Sequence, residues 1–133
     1  MPKERVEPSF AFENIGIDYA GPVFVRNNYG EQSDLYKAWI ALITCMSSRA
    51  VYLDLATSYD SDALIRILER FFSRYNAPKL ITSDNGTNFT SHATQEFVKS
   101  RFIRWEFNIE AAPWQGGVFE RLISQQNVFY VNV

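Results

Sequence analysis

The sequence predicts a mixed α/β domain, and three observations lead there. Three strand-like runs arrive in succession within the first 57 residues. The apolar period then changes from two to that of a helix between Leu64 and Tyr75. After Pro78, short strand-like and helical runs alternate, for an overall order of βββαβαβα. The length of 133 residues suits one domain, and an apolar content of 47% is enough for a packed core.

Each element has its own signal. Residues 1–9 are charged, carry two prolines and read as a lead-in segment. "NIGIDYAGPVFV" sets Ile15, Ile17 and Tyr19 on one face of a first strand and Gly16 and Asp18 on the other, with Gly21-Pro22 marking a break or an edge. "RNNYGEQSD" (26–34) is a turn region. "LYKAWIALITCM" (35–46) is nearly continuous apolar, as in a strand buried on both faces. "AVYLDLAT" (50–57) alternates, with Val51, Leu53 and Leu55 on one face. Short turns between these three runs imply an antiparallel meander.

In "SDALIRILERFFSRY", Leu64, Ile67, Leu68, Phe71, Phe72 and Tyr75 form one apolar helical stripe. Asp60 or Ser61 supplies the N-cap, Asp62 suits the helix dipole in the first turn, and Asn76-Ala77-Pro78 ends the helix. "KLITS" (79–83) is a short strand, "HATQEFVKSRF" (92–102) a helix anchored by Phe97 and Val98, and "IRWEFNI" (103–109) an alternating strand. "EAAPWQGG" is a loop, "VFERLIS" opens a helix, and "QQNVFYVNV" is β-prone.

Composition excludes several classes. A formal charge of −2 is not the footprint of a protein that binds nucleic acid by net charge, so such binding requires a local basic patch, a metal or further domains. One cysteine, Cys45, and one histidine, His92, cannot build a four-ligand zinc site or an internal disulfide, which permits an intracellular setting. Cys45 lies in an apolar run and reads as a small buried residue. No run approaches the roughly 18 apolar residues of a membrane span, and the N-terminus lacks the apolar stretch of a signal peptide.

Three acids stand in informative contexts. Asp18 lies inside an apolar strand, where an unpaired carboxylate is costly. Asp84 follows the fourth strand in "SDNGTNF", and Glu120 opens the last helix after a glycine pair, with 35 residues between them. Plain structural readings exist: "DNG" is also a turn signal, and a first-turn glutamate also suits a helix dipole. Asp54, Asp60 and Asp62 are accounted for as strand-face and cap residues.

Taken together, "IGIDYAGP", "KAWIALITCMSSRAVYLDL", "SDNGTNF" and "AAPWQGGVFERLI" resemble the catalytic core of retroviral and retrotransposon integrases, the D,D-35-E polynucleotidyl transferases. The wording of "TCMSSRAVYLDL" and "APWQGGVFERL" is most similar to the Pao/BEL branch of LTR retrotransposons. The resemblance runs from about Pro8 to Ile123, which implies a core domain over 10–124 and an atypical tail over 125–133.

The resemblance implies a ribonuclease H-like fold, a five-stranded mixed sheet flanked by helices, with Asp18, Asp84 and Glu120 as catalytic residues and ligands of two Mg²⁺ (or Mn²⁺) ions. It implies DNA as partner, both element ends and target, in 3′-end processing and strand transfer. It also implies a homo-oligomer acting in the nucleus, with no membrane and no small-molecule cofactor. The physical reason for three carboxylates is that two hard divalent ions, about 4 Å apart, can activate a hydroxyl and stabilise the leaving oxygen. Asn85, Gln115, Gly116, Gly117 and Arg121 are nucleic-acid-binding candidates, with Pro113–Gly117 similar to the family's mobile loop. Asn85-Gly86 gives a sharp exit turn after Asp84, and Asn88 is placed to hydrogen-bond that loop. Arg66, Arg70 and Arg74 form a basic stripe, read as a solvated face as readily as a DNA contact.

The final "SQQNVFYVNV" carries no Lys or Arg where the family continues a basic helix, so the domain is expected to be C-terminally truncated. A decayed fragment that keeps the fold and nucleic-acid binding without catalysis is therefore the alternative reading. A ribonuclease H acting on RNA–DNA hybrids is a third.

Overall fold

A computed structural model describes residues 12–27, 35–108 and 128–131. The expected meander is present. β1 (Asn14–Asn27), β2 (Leu35–Cys45) and β3 (Val51–Ala56) pair antiparallel in succession. Helix α1 (Ser61–Tyr75) then crosses to β4 (Leu80–Ser83), which runs parallel to β1. A short α2 (Thr87–Thr90) and α3 (His92–Lys99) lead to β5 (Arg104–Phe107), parallel to β4. The sheet order is β3-β2-β1-β4-β5. A sixth strand, β6 (Val128–Val131), pairs parallel with the far end of β1 from Phe24 to Asn27. Val128–Val131 of the β-prone tail are thus part of the sheet. β4 stops at Ser83, which leaves the outer half of that β1 edge for another strand.

β1 is one strand, not two broken at Gly21-Pro22. The register against β2 shifts between Ala20 and Val23, which absorbs the proline that cannot donate to the ladder. Gly21 has φ of 130°, and a Cβ there would stand 3.0 Å from Val23 N and 3.2 Å from the Ala38 carbonyl oxygen. Only glycine fits that corner.

The two faces of the sheet bury different sets. On one face Ile15, Ile17, Ala41, Ile43 and Ile81 meet the apolar stripe of α1, with Leu64, Ile67, Leu68 and Phe71 all fully buried. Phe89 of α2 and Val98 of α3 complete that core. The other face gathers Val23, Val25, Ala38, Ile40 and Leu42. β2 is accordingly buried on both faces, as its continuous apolar run predicts. In β3 the alternation points the other way from a simple core strand: Tyr52 packs on the α1 side, while Val51 and Leu53 stay 44% and 47% exposed.

Local signals set the ends of α1. The Asp60 carboxylate accepts the Ala63 N–H at 2.9 Å, so Asp60 rather than Ser61 is the N-cap, and this bond holds its acid below the ordinary range. Asn76 closes the helix with φ of 73°. The basic stripe has partners within the chain: Arg70 pairs with Asp54 at 3.0 Å and Arg74 lies 5.9 Å from the Tyr75 ring centroid. Among the described residues no helix is long and apolar enough to cross a membrane.

Phe71 is fully buried and touches the rings of Phe12, Tyr52, Phe72 and Tyr75. Phe71→Ala is expected to cost about 3–5 kcal/mol, read as a lower midpoint in urea unfolding with an unchanged slope.

Candidate functional site

The site begins with a register. β1 and β4 pair Asn14 with Leu80, Ile15 with Ile81 and Gly16 with Thr82. Carried two residues on, the same offset sets Asp18 beside Asp84, just past the last residue of β4. Asp18 lies opposite Leu42 in β2. Paired side chains share a face, and Leu42 belongs to the core away from the helices. Asp18 therefore emerges on the face opposite α1, at the edge of β1 that neither β4 nor β6 covers, with Asp84 near enough for its charge to act on Asp18.

Each carboxylate is braced by its own backbone. Asp18 accepts the Tyr19 N–H at 2.9 Å, and Asp84 accepts the Gly86 N–H at 2.9 Å. The second bond closes an Asx turn, so "DNG" is both a turn and a mount for the acid. Ser83 secures the turn from behind: its hydroxyl donates to the Asp84 carbonyl oxygen at 2.8 Å and accepts from the Trp105 indole at 2.8 Å. The Gly86 carbonyl then accepts the N–H groups of Phe89 and Thr90, which starts α2.

Burial pushes the Asp18 carboxyl up to about 6 from its ordinary 3.8, against the Tyr19 N–H bond that lowers it, with the Asp84 charge adding to the rise. Tyr59 stands on the rim, 41% exposed, and its phenol is raised by burial and then by the charges of Asp84 and Asp18. A divalent cation suits this donor set, because hard oxygen ligands forced together lose their mutual repulsion when they share one. Among the described residues no three acidic, histidine or cysteine side chains cluster.

Glu120, Gln115, Gly116, Gly117, Arg121 and Trp114 lie outside the described residues, as does the helix expected from "VFERLIS". Asn85 is exposed beside Asp84. Asn88 departs from expectation: its side chain is 2% exposed and makes no hydrogen bond, while its backbone carbonyl accepts from the Thr94 hydroxyl at 2.7 Å. His92 is exposed at the start of α3, and Cys45 is buried as expected. Tyr59 and Tyr19 were not legible as site residues, since nothing in their sequence context sets them apart from core aromatics. A cavity of about 150 Å³ lined by Leu55, Ala56, Thr57, Ala63, Arg66 and Arg70 includes none of the site residues.

Comparison with known proteins decides the family. The Integrase core domain family matches residues 18–113. The chain belongs to that family. A Pro-Pol polyprotein of feline foamy virus is 26% identical over 124 residues, which is 93% of this chain and 10% of that protein. An uncharacterized protein of Caenorhabditis elegans, K02A2.6, is 27% identical over 116 residues, 87% of this chain and 8% of its own length. The chain thus spans a tenth or less of these curated relatives.

Among solved structures, the integrase catalytic core domain of HTLV-2 in complex with magnesium superposes with a TM-score of 0.64 at 21% identity, covering 87% of this chain and 71% of that one. The catalytic core domain of BIV integrase gives 0.60 at 21%, covering 83% and 63%. The five strands β3-β2-β1-β4-β5 with their flanking helices are therefore the ribonuclease H-like fold of integrase cores, as the motifs implied, and β6 adds a sixth strand to that sheet.

The raised carboxyl of Asp18 has a signed consequence. The folded chain keeps that proton up to about pH 6, whereas the unfolded chain releases it near 3.8. The folded state therefore binds more protons between those values, and stability falls as pH rises through this window. Asp18→Asn removes the charge and is expected to raise the metal-free melting temperature by about 3 °C at pH 8, with the gain disappearing near pH 4. Calorimetric melting across pH checks it.

Proposed function

We propose that the chain is the catalytic core of a retrotransposon integrase, a metal-dependent polynucleotidyl transferase of the D,D-35-E kind, in the Pao/BEL branch. The observation that carries the reading is the alignment of Asp18 with Asp84, with Asp18 held half-buried and hard to ionise. A structural pair of acids would be kept apart or neutralised by a base; here the register pushes them together.

In this reading Asp18, Asp84 and Glu120 are the catalytic residues and hold two Mg²⁺ or Mn²⁺ ions. Bound ions of this kind supply a more acidic attacking hydroxyl and a stabilised leaving oxygen at the phosphate. The chain's own groups do the positioning. Tyr19 N–H and Gly86 N–H fix one oxygen of each carboxylate, so the remaining oxygens have a set direction. Ser83 and Trp105 stiffen the turn beneath Asp84. No protein nucleophile is needed, because water or a DNA 3′-hydroxyl attacks, and the buried Cys45 and exposed His92 are not used.

DNA is the partner, both element ends and target. Exposed Asn85, beside Asp84, is a candidate contact for the DNA backbone, and Gln115, Gly116, Gly117 and Arg121 are candidates from the sequence motif. The core domain spans 10–124 and acts as a homo-oligomer in the nucleus.

A disintegration assay with Mg²⁺ or Mn²⁺ tests the reading. Wild type is expected to join and release DNA strands, and Asp84→Asn to lose about 10³-fold or more of that rate, since the loss of one ligand disrupts the two-metal clamp. Equal rates in both would leave a remnant that keeps the fold without its chemistry. Cleavage of RNA–DNA hybrids without strand transfer would point to a ribonuclease H instead.

A further inference from the structure

On the face that carries the helices, two buried polar side chains, Tyr19 and Asn88, lie together without a partner, beside the half-exposed Tyr59. Tyr19 follows Asp18 and so points to the opposite face, where its ring packs edge-on against Tyr59 at 5.6 Å and Phe89 at 5.5 Å. Its hydroxyl is buried and has no hydrogen-bond partner, and neither has the Oδ1 or the Nδ2 of Asn88. The Tyr19 hydroxyl nevertheless faces the Asn88 carboxamide, near enough to be influenced by it. The two groups are neighbours that do not bond directly. Asn88 Oδ1 and Tyr59 Oη each stand 3.2 Å from the point a Cβ on Gly86 would occupy, so both lie close to the turn that carries Asp84.

Native interiors leave few buried polar atoms unpaired, and a small polar gap with two to four partners is where a water resides. We propose that Tyr19, Asn88 and Tyr59 enclose one ordered water, and that this knot positions Asp18 and Asp84 relative to each other. The last backbone pair between β1 and β4 is Gly16 with Thr82, two residues short of either acid. Past that point the ladder no longer sets the gap between the strands. Tyr19 is the residue after Asp18, and Asn88 lies one turn beyond Asp84, so the knot ties the two chain segments where the ladder lets go. Asn88 is itself anchored to α3 through Thr94, and Tyr59 is braced by the Trp39 ring at 5.8 Å. These are positioning residues, because they act through the segments bearing the acids. The inference rests on reading those acids as metal ligands.

Calorimetric titration of the whole chain with Mn²⁺ tests it, with wild type, Asn88→Ala, Tyr19→Phe and the double variant. Tyr19→Phe removes only a hydroxyl, which guards against a variant that fails to fold. Both single variants are expected to unfold cooperatively and to bind Mn²⁺ about tenfold more weakly, as removal of groups that orient ligands does. The double variant is expected to be no weaker than the worse single one, since either change opens the same knot. A merely structural role would lower the melting temperature and leave the affinity alone; unchanged affinity in both folded variants overturns the proposal. Should wild type bind Mn²⁺ no better than Asp84→Asn, the metal reading itself fails. Metal-free crystal structures then decide the knot separately. A water bonded to Tyr19 and Asn88, with an Asp18–Asp84 gap that widens in Asn88→Ala, upholds it. The absence of that water, or an unchanged gap, overturns it.

Discussion

The parallel pairing of β1 with β4 is the constraint on which the rest depends. Three backbone pairs, from Asn14–Leu80 to Gly16–Thr82, fix which residues of the two strands lie abreast. A strand's side chains alternate, so a slip of one residue would turn one acid to the wrong face. What prevents the slip is packing. Ile15, Ile17 and Ile81 point to the α1 side and are all essentially buried, and each would have to exchange core for water on a shift. At about 1.5–3 kcal/mol for each such side chain, the hydrophobic core enforces the alignment of two carboxylates that repel each other.

Both faces of the sheet bury apolar side chains, but they differ in what else they carry. The helical face holds the aromatic cluster around Phe71 and the buried stripe of α1. The opposite face carries Asp18, which burial makes reluctant to ionise. Stability spent on such a placement is typical of sites rather than of scaffolds. The turn after β4 serves both faces at once. Its Gly86 N–H holds the acid on one side, and its Cα is overlain by Tyr59 and Asn88 on the other.

Much of this is legible in the sequence, for physical reasons that differ by element. The α1 stripe and the Asp60 cap are local features, readable from spacing and residue type, and the structure has both. Asp18 stands out because a charge in an apolar strand has no cheap structural explanation. Other features depend on contacts that no local pattern encodes. Bulging at Gly21-Pro22 keeps β1 whole where proline usually ends a strand. The four-residue α2 follows an Asn-Gly that alone reads as a hairpin turn. β6 joins the sheet only because β4 leaves part of an edge open. Val51 and Leu53 alternate like a core face yet lie largely exposed, since periodicity shows a face without saying what covers it. The side chains of Tyr19, Tyr59 and Asn88 become informative only through their lack of partners, a tertiary property. Glu120 is placed by the sequence motif alone, outside the described residues.

The central claim is that the β1–β4 register brings Asp18 and Asp84 abreast on one face, and a cross-link measures it most directly. In a chain carrying Cys45→Ala, the pair Asp18→Cys and Asp84→Cys should form an intramolecular disulfide under mild oxidation, seen by mass spectrometry, because adjacent strand positions lie within the roughly 4.4–6.8 Å that a disulfide spans. The pair Asp18→Cys and Ser83→Cys, which points to opposite faces, should not. Failure of the first pair to close in a folded chain, or equal closure of the second, would contradict the account.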